Sequence, residues 1–289
     1  MAFLQMLFLL CPIFMHFIVP NTAQLEINFQ LCVVENGNYT ANSTYQANLN
    51  YLLNSVYRKT EIDYGFYNFS YGESPDKVYA IGLCRGDVKP AACRDCLNYS
   101  SRALTSRCPS QKEAIIGLDN CILRYANRYI FGLNEVAPYF FVYSLTNVSD
   151  EKGFNSSLNS LLDSLQDKAA AGDSRRKYAT GKVSTPNNQT IYALSQCTPD
   201  LSQTECSYCL RNASARVGQC CQERQGGRVI YPSCNFRYET KQFYEIPIGE
   251  DLSPPPSKGI YPENFNIVVC LNFLNAVKMS SLYSFQFSD

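Results

Sequence analysis

The residues best placed to do chemistry are cysteines. The pattern C-x8-C-x2-C occurs at Cys84, Cys93 and Cys96, and again at Cys197, Cys206 and Cys209. A C-x2-C pair can hold zinc, shuttle electrons or staple a fold. A zinc knuckle needs four thiolate or imidazole ligands from a reduced chain, and the single histidine is His16. A thioredoxin-like pair does not require the third cysteine that precedes each C-x2-C here by nine positions. The choice therefore turns on the compartment.

Residues 3–19 are an apolar stretch followed by Pro-Asn-Thr-Ala, which reads as a secretory signal peptide over 1–23. Seventeen residues broken by Pro12 are short for a membrane span. Eight N-x-S/T sequons follow, at Asn38, Asn42, Asn68, Asn98, Asn147, Asn155, Asn188 and Asn212. Both features assign the chain to the secretory route, where disulfides form and asparagines are glycosylated. The cysteines are expected to be structural, with no metal and no cofactor. Removing the signal peptide removes the only imidazole, so Ser-His-Asp and Cys-His catalysis have no base. Asp and Glu are plentiful but at no spacing special to a glycosidase pair. The expectation is a non-enzyme, with a secreted hydrolase or redox protein as the weakest reading. Twenty-five acidic against 25 basic side chains give no electrostatic reason to seek nucleic acid.

The elements that hold these cysteines are written twice. Tyr79, Ala80, Cys84, Asp87, Cys93, Cys96 and Leu97 recur 113 residues later as Tyr192, Ala193, Cys197, Asp200, Cys206, Cys209 and Leu210. The same offset takes Cys108 to Cys221, Cys121 to Cys234, Arg124 to Arg237 and Tyr125 to Tyr238. Upstream, Leu49, Leu52, Leu53 and Val56 match Leu158, Leu161, Leu162 and Leu165 at an offset of 109. Both quartets have the i, i+3, i+4, i+7 spacing of one helical face. A second helix is expected within each cysteine motif, opened by Pro90 in one copy and by the Ser202–Glu205 capping box in the other. Residues 64–72, 121–132, 138–145 and 234–246 are rich in aromatic and β-branched side chains and read as strands. The fold class is α+β: two tandem copies of a small disulfide-stapled domain, each an antiparallel sheet packed against two helices. The copies span 28–137 and 138–250, and 251–289 reads as a Pro-rich linker and a poorly ordered tail. The tail's apolar run, 267–277, is too short to span a bilayer.

This doubled pattern, with YALSQCTPDLSQTECSYCL and GGRVIYPSCNFRYE in the second copy, resembles the plant ginkbilobin-type domain, also called the Gnk-homologous or stress-antifungal domain. Paired copies form the ectodomains of cysteine-rich receptor-like kinases, and occur in cysteine-rich repeat secretory proteins. The resemblance implies the bridges Cys32–Cys108, Cys84–Cys93 and Cys96–Cys121, then Cys197–Cys206 and Cys209–Cys234. It also implies a secreted, apoplastic recognition protein in stress or defence. Its partner would be a receptor ectodomain, or a cell-wall or fungal glycan.

The alternative is a mannose-type antifungal lectin. In the family's antifungal member, mannose is held by an Asn after the first cysteine, an Arg before the last and a Glu beyond it. The first copy has Val33, Ile115 and Ala126 at those positions, whereas the second keeps Arg228 and Glu239 but lacks the first cysteine and its Asn. Arg228 and Glu239 are thus the carbohydrate candidates, weighed against an interdomain salt bridge.

The lost cysteine also bears on VGQCCQERQGG. Cys221 corresponds to Cys108, whose partner in the first copy is absent from the second, and Cys220 has no counterpart. The simplest expectation is a vicinal Cys220–Cys221 bridge, a strained ring because adjacent Cα atoms lie only about 3.8 Å apart. Fourteen cysteines less Cys11 leave thirteen, so one is odd; Cys270 is that residue, with Cys220–Cys270 as the rival pairing.

Overall fold

The computed structural model describes residues 27–245 with their side chains and the backbone of 265–270. Residues 1–23, read above as a signal peptide, Cys11 among them, and the Pro-rich stretch after 250 lie outside the described residues, as does the Cys270 side chain. In the first domain, β1 (Ile27–Cys32), β2 (Phe66–Tyr71), β3 (Val78–Cys84), β4 (Ala114–Leu118) and β5 (Cys121–Ala126) form an antiparallel sheet in the order β1-β4-β5-β3-β2. Helices α1 (Thr44–Val56) and α2 (Pro90–Arg107) pack on one face. The second domain repeats this with β6 (Tyr139–Ser144), β7 (Lys177–Ser184), β8 (Thr190–Cys197), β9 (Gly226–Ile230) and β10 (Cys234–Glu239). Its helices are α3 (Glu151–Ala170), α4 (Gln203–Ser214) and the single turn α5 (Val217–Cys220).

Local chemistry starts each helix where the sequence marks it. The Ser43 hydroxyl accepts from Gln46 N at 3.3 Å, and Asp150 accepts from Gly153 N at 3.0 Å. Pro90 opens α2, and Ser202 and Glu205 complete a reciprocal capping box on α4. The apolar faces then bury as their spacing requires: Leu49, Leu52, Leu53 and Val56 in α1, and Leu158, Leu162 and Leu165 in α3.

Two strands are shorter than the aromatic runs suggest. The run 121–132 pairs only to Ala126, opposite Tyr79, and 234–246 only to Glu239, opposite Tyr192. Beyond Ala126 the aromatics pack among themselves, with Tyr129 and Phe131 edge-on to Tyr79 at 5.6 Å. Within the segment read as linker and tail, β11 (Phe265–Cys270) pairs antiparallel with β6 and adds a sixth strand to the second sheet.

Among the described residues six disulfides are formed. Cys84–Cys93 and Cys96–Cys121 tie α2 to β3 and β5, and Cys32–Cys108 ties the end of β1 to the end of α2. Cys197–Cys206 and Cys209–Cys234 do the same for α4, β8 and β10. Cys220 and Cys221 are bonded to each other, with Cα atoms 3.7 Å apart.

In each sheet, alternate residues serve opposite faces. Ala80, Cys84, Leu123 and Tyr125 face the helices of the first domain, as Ala193, Cys197, Phe236 and Tyr238 do in the second. The other faces meet each other. Phe29, Ile115 and Ile122 pack with Phe140 and Ile230, and the rings of Phe29 and Phe140 stack at 4.1 Å. The layers therefore run helix, sheet, sheet, helix. Gly117 is required here, because a Cβ at that position would enter the Phe29 ring.

Candidate functional site

Arg228 and Glu239 lie in this middle layer. β9 and β10 pair so that Arg237 is opposite Arg228 and Glu239 is opposite Gly226. Arg228 is 7% exposed, and its Nη1 donates toward Leu118 O at 3.4 Å. Asn28 Oδ1, in the amide orientation that satisfies its neighbours, accepts from the same nitrogen at 3.1 Å and from Asp119 N at 3.3 Å. Arg228 therefore spans the two domains.

Around it the polar contacts form one network. The Asp119 carboxylate accepts from Arg85 Nη1 at 2.9 Å and from Arg237 Nη1, which joins the first domain to the second. Arg85 is held in a fork by Asp87, at 2.6 and 3.0 Å. Arg237 also donates through Nε to Glu239 at 3.2 Å and lies over the Phe243 ring at 4.2 Å. Gln196 Nε2 donates to Cys84 O at 2.9 Å across the same boundary. Burial pushes the Glu239 carboxyl above its usual range, and the neighbouring Arg237 only partly offsets this.

The space among Arg85, Asp119, Gln196 and Arg228 is about 10 Å³, room for one water and not for a hexose. The ion pair that crosses between the domains here is Asp119 with Arg237, while Arg228 reaches over to Leu118 O and Glu239 is held by Arg237 within its own domain.

The first domain has a matching ionic cluster at its edge. Arg124, the counterpart of Arg237, donates to Glu135 at 2.7 Å, and Arg128 pairs with both Glu135 and Glu113. Burial raises the Glu135 carboxyl, but Arg124 and Arg128 outweigh it and hold it below the usual range. Leu133 O and Glu135 N both bond the Ser233 hydroxyl, at 2.7 and 2.9 Å, so the connecting loop is fastened to the second domain as well.

The sequons lie elsewhere. Asn38, Asn42, Asn68, Asn147 and Asn188 are exposed and Asn98, Asn155 and Asn212 are partly exposed, all outside the sheet-to-sheet layer. Between residues 27 and 245 every cysteine is in a disulfide. Among the described residues no helix is long and apolar enough to cross a membrane.

The residues missed by sequence reasoning are those that make the interface: Phe29, Arg85, Asp119 and Phe140. Asp119 lies in the short turn between β4 and β5 and Phe140 in a run already read as a strand, and only knowledge of which strand face is covered singles them out.

This architecture defines a class, the tandem pair of disulfide-stapled α+β repeats. The family model described as salt stress response/antifungal matches residues 31–128 and 143–241, and the chain belongs to that family. It is 36% identical to cysteine-rich repeat secretory protein 38 of Arabidopsis thaliana, over 79% of this chain and 90% of that protein. It is 39% identical to an antimicrobial ginkbilobin-2-like protein of Castanea crenata, over 72% of this chain and 85% of that one. Cysteine-rich receptor-like protein kinase 26 of Arabidopsis thaliana is 39% identical over 79% of this chain, which spans 35% of the kinase's length. The tandem DUF26 ectodomain of the cysteine-rich receptor-like protein PDLP8 shares the fold, with a TM-score of 0.65 at 23% identity, covering 74% of this chain and 97% of that one.

Proposed function

We propose that the chain is an apoplastic recognition protein of plant stress or defence, which engages a receptor ectodomain as a single two-domain body. The observation that carries this reading is the middle layer, where an apolar stack and the Asp119 bridge between Arg85 and Arg237 join the domains. A body whose domains are fixed relative to each other loses little orientational freedom when it binds, which favours recognition by an extended surface. The secretory and receptor-like relatives support the same compartment and role.

The test is binding of the purified glycosylated protein to a panel of cysteine-rich receptor-like kinase ectodomains, with secretion scored in apoplastic wash fluid. Saturable binding to at least one member is expected. That binding should weaken about tenfold or more in Phe140→Ala, provided each domain keeps its disulfides and far-ultraviolet spectrum. Retention inside the cell, or no binding across the panel, rejects the reading.

A further inference from the structure

The helical side of the second domain carries a groove that the interface leaves open. Its volume is about 520 Å³, within the range of small-ligand sites. One wall is α3, where Asn155, Asn159 and Asp163 stand four residues apart and so form one stripe along the helix. Arg211 and Ser214 of α4 form the facing wall. The floor is apolar, made by Leu162 and Val217, which are 1% and 8% exposed. Gly218 widens the groove, since a Cβ there would have only Gln222 Oε1 near it, at 3.7 Å.

Gly218 and Gln222, both on the groove wall, flank the vicinal Cys220–Cys221 disulfide in the chain. Tyr238 donates its hydroxyl to Cys221 O at 2.7 Å, and Gly227 lets the Cys221 side chain settle against the sheet. Gln222 is set in place by donating to Glu151 at 2.9 Å. The bonded pair thus holds the segment that carries Gly218 and Gln222 against the sheet.

The chemistry of the walls selects a ligand class. Asn155, Asn159, Asp163 and Arg211 make no side-chain hydrogen bond or ion pair with another described residue, so their donors and acceptors are spare. Two amides, one carboxylate and one guanidinium offer both donors and acceptors with no net charge. A strongly charged ligand would meet its like in either Asp163 or Arg211. A neutral sugar suits both walls through hydroxyls that donate and accept, and rests its C–H face on Leu162 and Val217. We propose that this groove binds a short neutral oligosaccharide. The sugar has two available sources: a free oligosaccharide, or the protein's own glycan, because Asn155 begins the sequon Asn155-Ser156-Ser157 on the groove wall.

The experiment uses the full secreted chain and its Ser157→Ala form, which lacks the sequon but keeps Asn155, titrated with N-acetylglucosamine trimer and with mannotriose and followed by calorimetry. Binding by Ser157→Ala, weakened about tenfold or more when Arg211→Ala and Asp163→Ala are added, supports the free-sugar source. Failure of Ser157→Ala to bind either probe supports the glycan source only if two further results hold. A glycan must be found on Asn155 of the parent, and its enzymatic removal must raise amide exchange in α3 and α4. No binding together with unchanged exchange after deglycosylation overturns the proposal. So does binding that the Arg211→Ala, Asp163→Ala form retains in full with an unchanged melting temperature. Sugar titration and receptor binding use separate probes, so either result leaves the other intact.

Discussion

Lys177 shows how one side chain can finish a helix. Its ammonium donates to Ala170 O at 3.0 Å and to Gly172 O at 2.6 Å, at the end of α3 where carbonyls have no helical partner. The residue is 5% exposed. Lys177→Met keeps most of the buried stem and removes both bonds, and is expected to cost about 2 kcal/mol in urea denaturation. Two carboxyls make opposite predictions with pH. Glu239 has its folded value raised by burial, so the unfolded chain ionises first and stability is lost as pH rises above the unfolded value, about 4.3. Glu239→Gln should therefore gain on the parent between pH 4 and pH 7, read as a shift in denaturation midpoint. A gap that stays constant over that range would contradict the assignment. For Glu135, burial is outweighed by Arg124 and Arg128 and the folded value falls. Its contribution is present above the unfolded value and disappears as pH drops through the folded one. Glu135→Gln should accordingly be costly at pH 7 and nearly neutral at pH 2.

At the scale of elements, the helices were the most legible part. Their apolar spacing, Pro90 and the Ser202–Glu205 box are local signals, and local chemistry is what forms α1 to α4. β1, β3, β4, β7, β8 and β9 lie outside the aromatic runs that read as strands. β1, β4 and β9 have only five or six residues, and the eight-residue β7 reads KYATGKVS, an edge strand that needs no apolar alternation. Their pairing is decided by partners far along the chain, such as Leu31 with Ile115. Strand length failed for a related reason: Tyr129 and Phe131 have the composition of a strand but find their contacts in a loop. Gly227 tests the packing of the vicinal pair against the sheet. A Cβ there would approach Cys221 Cβ and Tyr238 Cε1 within 2.8 Å, so Gly227→Ala should lower stability by about 1–3 kcal/mol, measured by thermal denaturation.

For the whole molecule, the duplication was visible in the sequence, but the contact between its halves was not. Residues that repeat between copies, such as Ala80 with Ala193 and Tyr125 with Tyr238, sit on the helix-facing sides of the sheets. On the facing sides the copies differ: Ile115 corresponds to Arg228, Leu83 to Gln196, Ile122 to Asn235 and Ala126 to Glu239. Arg228 and Glu239, the sugar candidates of the sequence, lie on that face, where Arg228 is 7% exposed. Phe140→Ala should cost about 3–5 kcal/mol, and calorimetry is expected to show one melting transition for the parent and two for the variant.

That asymmetry has a consequence for engineering by exchange. The helical halves of the two copies rest on nearly the same side chains and are candidates for transplantation from one copy to the other. The inner sheet faces are not interchangeable, since one supplies Ile115 and Ile122 and the other supplies Arg228, Asn235 and Glu239. A chimera with two first domains in series would put Ile115, Ile122 and Ala126 where Arg228, Asn235 and Glu239 stand, while Arg124 would take the position of Arg237. The order of the copies along the chain is therefore written into the surfaces that join them.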